Sequence, residues 1–463
     1  MSRRRFEDIL GLIRLSSFDV STPEGREKER YRRIVLNTIA SVFARISTAI
    51  VSLAIIPMLL TYLDKQLFGM WTTITVTVTW FTLFDFGIIN GLVNAISEAY
   101  GRDDREIASG YVSTALIVLV MISVLTSIIA VLLAPHINWN QVFAISDNIE
   151  TERVRLIVLS ASLPVLIGMP FSIVRQIYAG YQKSYVGHLF SIVGSMITIL
   201  AVYFAIHLQL ELHYITAVLI GIPILFAGIN LVYIFGVEMP WLRPRLSRIR
   251  ISSLKRLLRT SIPLFLFQIG ALLVNQTQPI ILAHRSGLEE VTEYTIVIRL
   301  YQAFMSLITV STIAFVPPFR EASERGDHAW VSVGFRKMLS IRMILAILFS
   351  FMMALFGNFL VGKWLGRTDI VFSLAVWIVL SVMLVSSTWS TAFSDLLVIM
   401  EKIWIQVVLV LFNGVSILAL TYLLSPSIGV MGALIASNGF TFLVLSWLLP
   451  RISRSLLVAD VYL

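Results

Sequence analysis

The chain contains no cysteine at all. That absence removes disulfide frameworks, thiolate metal sites, cysteine nucleophiles and S-palmitoylation together. Charge is scarce too: only 14% of the 463 residues are Asp, Glu, Lys or Arg, and acids are the rarer sign, 27 against 36 bases. The six histidines (His136, His188, His207, His213, His284 and His328) include no i, i+4 pair, so no zinc site is indicated. Glu289 and Glu290 form the only acidic pair expected outside, poor support for a metal-dependent glycosyl transfer site. No loop expected outside the membrane is long enough to be a catalytic domain. Enzyme chemistry is therefore disfavoured.

Apolar sequence is what the chain has in excess. Hydrophobic residues make up 57%, about 264 side chains, more than a soluble core hides. At roughly 20 apolar residues per crossing, the ceiling is about thirteen helical spans. Long apolar runs between breaks rich in charge, Pro or Gly predict twelve: residues 35–62, 67–92, 112–134, 156–174, 186–206, 214–235, 262–283, 291–316, 338–360, 370–388, 403–424 and 428–449. No apolar segment with a cleavage site precedes them, so the chain is expected to be held by its own spans.

With the amino terminus in the cytoplasm, 28 of the 36 Lys and Arg residues fall inside. The opposite side receives six: Lys65, Arg153, Arg155, Arg285, Lys363 and Arg367. This bias predicts both termini in the cytoplasm, and it accounts for most of the +9 net charge without nucleic acid as a partner. The expected organisation is a basic cytoplasmic arm (1–34), a six-helix lobe (35–236), a basic cytoplasmic linker (237–261), a second six-helix lobe (262–449) and a cytoplasmic tail (450–463). In the arm, Phe6, Ile9, Leu10 and Ile13 among arginines fit either an interfacial helix or a disordered basic segment.

The halves compare at an offset of about 222 residues. Pro57 matches Pro279, the stretch Ser97–Asp104 resembles Arg320–Asp327, Gln182-Lys183 matches Glu401-Lys402, and Gly194 falls near Gly414. A common offset with an even number of spans per half predicts an all-α polytopic membrane protein of twelve transmembrane helices in two pseudo-symmetric lobes.

Two arginines interrupt the apolar runs. Arg45 lies ten residues into span one and Arg299 eight into span eight, about 15 and 12 Å deep at the helical rise. A cation there costs on the order of 3 kcal/mol or more and should face a cavity or partner. Polar neighbours share their faces: Asn37, Ser41, Thr48 and Ser52 on span one, and Thr292, Thr295, Gln302, Ser306 and Thr309 on span eight. Span seven adds Gln268, Asn275 and Gln278. Helix-to-helix contact is the other reading of such residues. The intramembrane acids Asp85 and Asp395 are expected near the cytoplasmic surface, not level with the arginines. Arginines without a level carboxylate suit an anionic ligand, phosphate above all, since the guanidinium fork matches its oxygens; snorkelling or carbonyl contacts would also satisfy them.

Other motifs lead nowhere. Gly357–Trp364 resembles a phosphate loop but ends in Trp instead of Ser or Thr. Asp85-Phe86-Gly87 has kinase letters without other kinase elements. Gly101–Glu106 is only superficially like the loop of major-facilitator transporters.

The first hundred residues carry a resemblance. Pro57, Tyr62–Trp71, Phe84–Leu92 and Ala95–Glu98 resemble the first two helices of Wzx-type O-antigen and polysaccharide flippases, the polysaccharide transporters of the multidrug/oligosaccharidyl-lipid/polysaccharide superfamily. Tyr178–Lys183 is similar to the junction after their fourth helix. The resemblance implies a MATE-like, V-shaped pair of lobes around a cationic cavity in a bacterial inner membrane. It implies transfer of an undecaprenyl-pyrophosphate-linked oligosaccharide from the cytoplasmic to the outer leaflet by alternating access. Arg45 and Arg299 are similar in placement to cavity arginines of the related lipid II flippases, whose usual fourteen spans contrast with twelve here. On this reading Arg45 and Arg299 hold the pyrophosphate, while Thr48, Asn275, Gln278 and Gln302 contact sugar hydroxyls. No cofactor is implied, and coupling to a proton or sodium gradient is left open. Membrane lipids, a polysaccharide polymerase and chain-length machinery are the other implied partners. The rival within the superfamily, an ion-coupled exporter of drugs or other small molecules, would call for a midplane carboxylate.

Overall fold

A computed structural model describes residues 23–145, 149–310, 319, 322, 327–400 and 402–459. The basic segment Arg3–Arg14, and most of the stretch Arg320–Asp327 from the repeat, lie outside the described residues. Among the described residues, all regular structure is helical. The longer helices are α1 Pro23–Tyr62, α2 Lys65–Thr79, α3 Ile88–Gly101, α4 Arg105–Leu133, α5 Thr151–Gly168, α6 Ile173–Gly180, α7 Ser184–His207 and α8 Leu212–Tyr233. The second half holds α9 Ile251–Gln276, α10 Gln278–Arg285, α11 Leu288–Val310, α12 His328–Leu365, α13 Leu374–Ile399, α14 Ile403–Phe440 and α15 Ser446–Ala459.

Among the described residues, ten stretches are long and apolar enough to cross a bilayer. The last of them, Ile403–Ser453, has non-helical backbone at Ile428 and Gly429, which divides it into two crossings. The more polar α11 completes the twelve. Several boundaries differ from the hydropathy reading because caps and breaks, not apolarity, set them. The third span starts at Arg105, where the Asp104 carboxylate accepts the Ile107 amide at 2.9 Å. The tenth runs on to Ile399 and so includes Asp395.

The second span, expected as one helix through Leu92, is broken. A 3₁₀ turn over Trp80–Asp85 leads into Phe86 and Gly87, both left-handed with φ of 48° and 77°. Asp85 Oδ1 accepts the Gly87 amide at 2.9 Å, so the carboxylate stabilises the turn. Glycine is needed here twice over, since a Cβ at Gly87 would come within 2.9 Å of Phe265 Cβ on α9. The seventh span breaks as well: α9 ends at Gln276, and Pro279 starts α10, whereas the matching Pro57 stays inside α1.

The two halves repeat their helix pairings. As α1 lies along α7, α9 lies along α14; as α4 packs on α5, α12 packs on α13. The repeated pairing makes two lobes, although Gly194 and Gly414 do not correspond: one faces Phe226, the other Gly270 and Leu273.

The buried apolar core shows how the lobes meet. One end of the bundle carries Lys183, the Arg243–Arg259 segment and Lys402, and is called the basic end below. At the opposite end a single cluster draws on both lobes, combining Leu59, Phe68 and Val154 with Val291, Met353, Trp377 and Leu434. Towards the basic end it splits in two. One cluster belongs to the first lobe around Leu92, Leu119 and Tyr178, with Leu257 of α9 added. The other belongs to the second lobe around Phe335, Phe393 and Leu449. Polar contacts reinforce the shared end: Thr292 Oγ1 donates to the Lys65 carbonyl at 2.5 Å, Trp364 Nε1 to that of Leu53 at 2.6 Å, and Arg367 Nη1 to that of Leu60 at 3.1 Å. A Cβ on Gly69 would run into the Leu288 carbonyl oxygen, so that glycine sets the closeness of α2 and α11.

Candidate functional site

The divergence of the lobes leaves two adjoining cavities on the basic-end side of the shared core. The larger, about 1030 Å³, lies mainly in the first lobe, and its walls come from α1, the 3₁₀ turn Met169–Ser172, α6–α8 and α11. Its charged lining is cationic: Arg45 on α1, Arg175 on α6 and Arg299 on α11, with His188 on α7 beside them and no Asp or Glu among the described residues. Arg45 and Arg175 make no ion pair or hydrogen bond among the described residues. Arg299 has only neutral contacts, its Nη1 donating to Ser52 Oγ and Gln302 Oε1, each at 3.4 Å. These are long for charged bonds, so the guanidinium keeps most of its donor capacity.

Helix geometry staggers the cations. Ser52, which meets Arg299, is seven residues beyond Arg45 on α1, about 10 Å at the helical rise. Arg175 lies five residues from the end of its helix and His188 four from the start of α7, both nearer the basic end. The cavity thus has a line of arginines, Arg175, Arg45 and Arg299, running from its basic end inwards. The wall behind it is fixed by a buried network: Tyr178 donates to Asn230 Oδ1 at 3.1 Å, and Lys183 pairs with Glu238 at 2.8 Å.

The smaller cavity, about 510 Å³, lies in the second lobe among α9, α11, α13 and α14, and Gln302 lines both. It is lined by neutral polar groups, among them Asn275, Gln278, Ser387 and Asn413. Its one acid, Asp395, is paired with Arg342 at 2.7 Å. Gln278 donates to the Val274 carbonyl (2.8 Å) and Ser437 Oγ (3.1 Å), but its Oε1 and that of Asn413 (Oδ1) are buried with no partner. Such orphan acceptors are costly until a donor such as a hydroxyl reaches them.

All six residues singled out in the sequence line these cavities: Arg45 and Thr48 the first, Asn275 and Gln278 the second, Arg299 the first, Gln302 both. The wider polar faces do not line them throughout. Asn37 bonds Gln182 and Tyr185 at the basic end, Thr292 is taken up by the lobe contact, Thr295 is buried and bonded to the Val291 carbonyl, and Gln268 accepts from Asn90 at 2.9 Å. Sequence reasoning missed Arg175, His188 and Asn413. Arg175 had been placed just past the fourth span, but α6 carries that helix on to Gly180. A signal was present for Arg175 and His188, since Ser172, Arg175, Gln176 and Ala179 follow helical spacing, as do Ser184, His188, Ser191 and Ser195.

A solved multidrug resistance MATE family transporter of the MOP superfamily, in an inward-facing conformation, superposes with a TM-score of 0.68 at 13% identity, covering 98% of this chain and 99% of that one. The fold is therefore that of MATE transporters. A putative O-antigen transporter of Salmonella typhi is 21% identical over 62% of this chain and 65% of its own length, just under two thirds. A putative O-antigen export protein of Yersinia pseudotuberculosis is 24% identical over 86% of this chain and 91% of its own. The family described as "Polysaccharide biosynthesis protein" matches residues 34–323, well over half of the sequence, and the chain belongs to that family.

Proposed function

We propose that this protein is a flippase of the multidrug/oligosaccharidyl-lipid/polysaccharide superfamily that carries an undecaprenyl-pyrophosphate-linked oligosaccharide, a surface-polysaccharide repeat unit, across the bacterial inner membrane. The observation that carries the reading is the acid-free cavity bearing Arg45, Arg175 and Arg299. The positive-inside bias puts the basic end in the cytoplasm, so the cavity opens towards the leaflet where the substrate is made.

The lipid tail need never leave hydrocarbon. What slows spontaneous flipping is desolvation of the pyrophosphate and the sugars. Arg45, Arg175 and Arg299 take the pyrophosphate through charge-assisted hydrogen bonds. The neutral second cavity, with Thr48 and Gln302 beside the arginines and Asn275 and Gln278 across from them, takes the sugar hydroxyls. Residues 35–236 and 262–449 act as rocking units joined by 237–261, and release at the outer leaflet delivers the unit to a polymerase and its chain-length machinery. A cation exporter of the same fold would need the opposite charge in this cavity, so the lining favours the anionic substrate.

The test is complementation of a flippase-deficient strain. Arg45→Ala and Arg299→Ala, expressed at wild-type levels, are each expected to lower surface polysaccharide by about tenfold or more, the size of one lost charged hydrogen bond at ~1.5–3 kcal/mol. Normal export by both variants would sink the anion-site reading.

A further inference from the structure

A second concave site lies at the basic end, away from the two cavities. It encloses about 230 Å³ between the start of α4 and the segment leading into α9. Arg248, Arg250 and Arg256 line it together with Tyr111, Ser252, Ser253 and one acid, Glu106, so that bases outnumber acids three to one. Arg256 pairs with Glu98 and lies over the Tyr111 ring at 5.8 Å, and Arg250 approaches Glu106 at 3.4 Å. Arg248 pairs with no carboxylate among the described residues; its Nη1 donates to Ser109 Oγ at 2.5 Å.

Two further features point to an anion. No side chain caps the amino terminus of α9, a helix of 26 residues, and its flanking charges are arginines. Cations at the positive end of a helix dipole are the wrong sign, and an anion there relieves the conflict. Ser253 is 9% exposed, lines the pocket, and its hydroxyl makes no hydrogen bond among the described residues. It is an unpartnered donor on a largely buried residue that borders the pocket.

The surroundings identify the source of the anion. Leu246, Ile249 and Ile251 alternate with Arg248 and Arg250, and are 76%, 39% and 72% exposed. Apolar side chains of this kind beside arginines fit the boundary between acyl chains and headgroups. We propose that this pocket binds the phosphate of an anionic phospholipid headgroup. Its walls come from α4 in the first lobe and α9 in the second, so the bound phosphate ties the base of α9 to the first lobe. The proposal rests on membrane insertion and is independent of what the main cavities carry.

The test uses the full chain, delipidated in neutral detergent, with bound lipid counted by native mass spectrometry. Phosphatidylglycerol is expected to bind as one tightly held molecule, where phosphatidylcholine does not. Arg248→Gln combined with Arg250→Gln should weaken it by about tenfold or more, as expected for lost guanidinium–phosphate bonds. Ser253→Ala, which removes only a hydroxyl and leaves the fold intact, should weaken it several-fold. Arg259→Gln, the same charge change on an exposed residue of α9 outside the pocket, should bind as wild type. Equal retention by the double variant and wild type, or equal binding of the two lipids, overturns the proposal. So does binding of inorganic phosphate that displaces phosphatidylglycerol completely, which would assign the site to free phosphate.

Discussion

At the scale of single residues, the cavity arginines are defined by what they lack. Arg45 and Arg175 have no protein partner among the described residues, and Arg299 has two long contacts to neutral groups. An arginine kept for stability alone would be expected to find a carboxylate, as Arg342 finds Asp395. Arg175 is the sharpest test, because the fourth apolar run ends just before it. Arg175→Gln is expected to leave expression and thermal stability unchanged, since no contact is lost, and to cut export by about tenfold in complementation. Unchanged export would remove Arg175 from the substrate path. Arg45 and Arg299 were legible because a cation within an apolar run is conspicuous. Arg175 was not, because its visibility depended on where a helix ended.

At the scale of helices, the apolar runs foretold how many crossings there are but not where they break. Hydropathy responds to side chains, whereas a break depends on backbone torsions and on who supplies the missing hydrogen bonds. Gly429 shows this. It has φ 50° and ψ −130°, a conformation nearly restricted to glycine, and the restarted helix is capped by Glu290, whose Oε2 accepts the Val430 amide at 2.7 Å. A Cβ there would also strike the Glu290 carboxylate. Gly429→Ala is expected to destabilise the protein by about 1–3 kcal/mol, and Glu290→Ala by about 1 kcal/mol through the lost cap. Thermal unfolding in detergent measures both, with Gly221→Ala, where a Cβ meets open space, as the unaffected control. Glu290, one of the acidic pair expected outside, thereby ties α11 to the restart of the helix after Gly429.

At the scale of the whole molecule, the lobes share a core at one end and part at the other. Beside the apolar cluster, polar contacts at the shared end are mostly side chain to backbone: Thr292 to Lys65, Trp364 to Leu53 and Arg367 to Leu60, with a Lys65–Glu293 pair at 3.6 Å. Alternating access requires that end to open. With no native cysteine to interfere, Lys65→Cys with Glu293→Cys offers a direct test. Joining the two by a short, reducible thiol cross-linker is expected to stop export, and reduction to restore it. Export that persists with the end fully cross-linked would rule out rocking about this seam.

The amino-acid sequence by itself determined the environment, the number of crossings, the split into halves and the two most deeply placed cations. Each of these follows from local composition, because the cost of placing a polar or charged residue in hydrocarbon depends on that residue and its immediate neighbours. Only the tertiary structure decided which polar faces line space and which are consumed in packing. Thr292 and Arg299 lie on the same helix, yet Thr292 bonds the Lys65 backbone of the other lobe while Arg299 faces the cavity. It also decided that Arg175 and His188 join Arg45 without any acid. The physical reason is that a cavity is a property of several helices at once: its charge is set by side chains far apart in sequence, and by backbone breaks such as that at Asp85–Gly87 that let the helices meet.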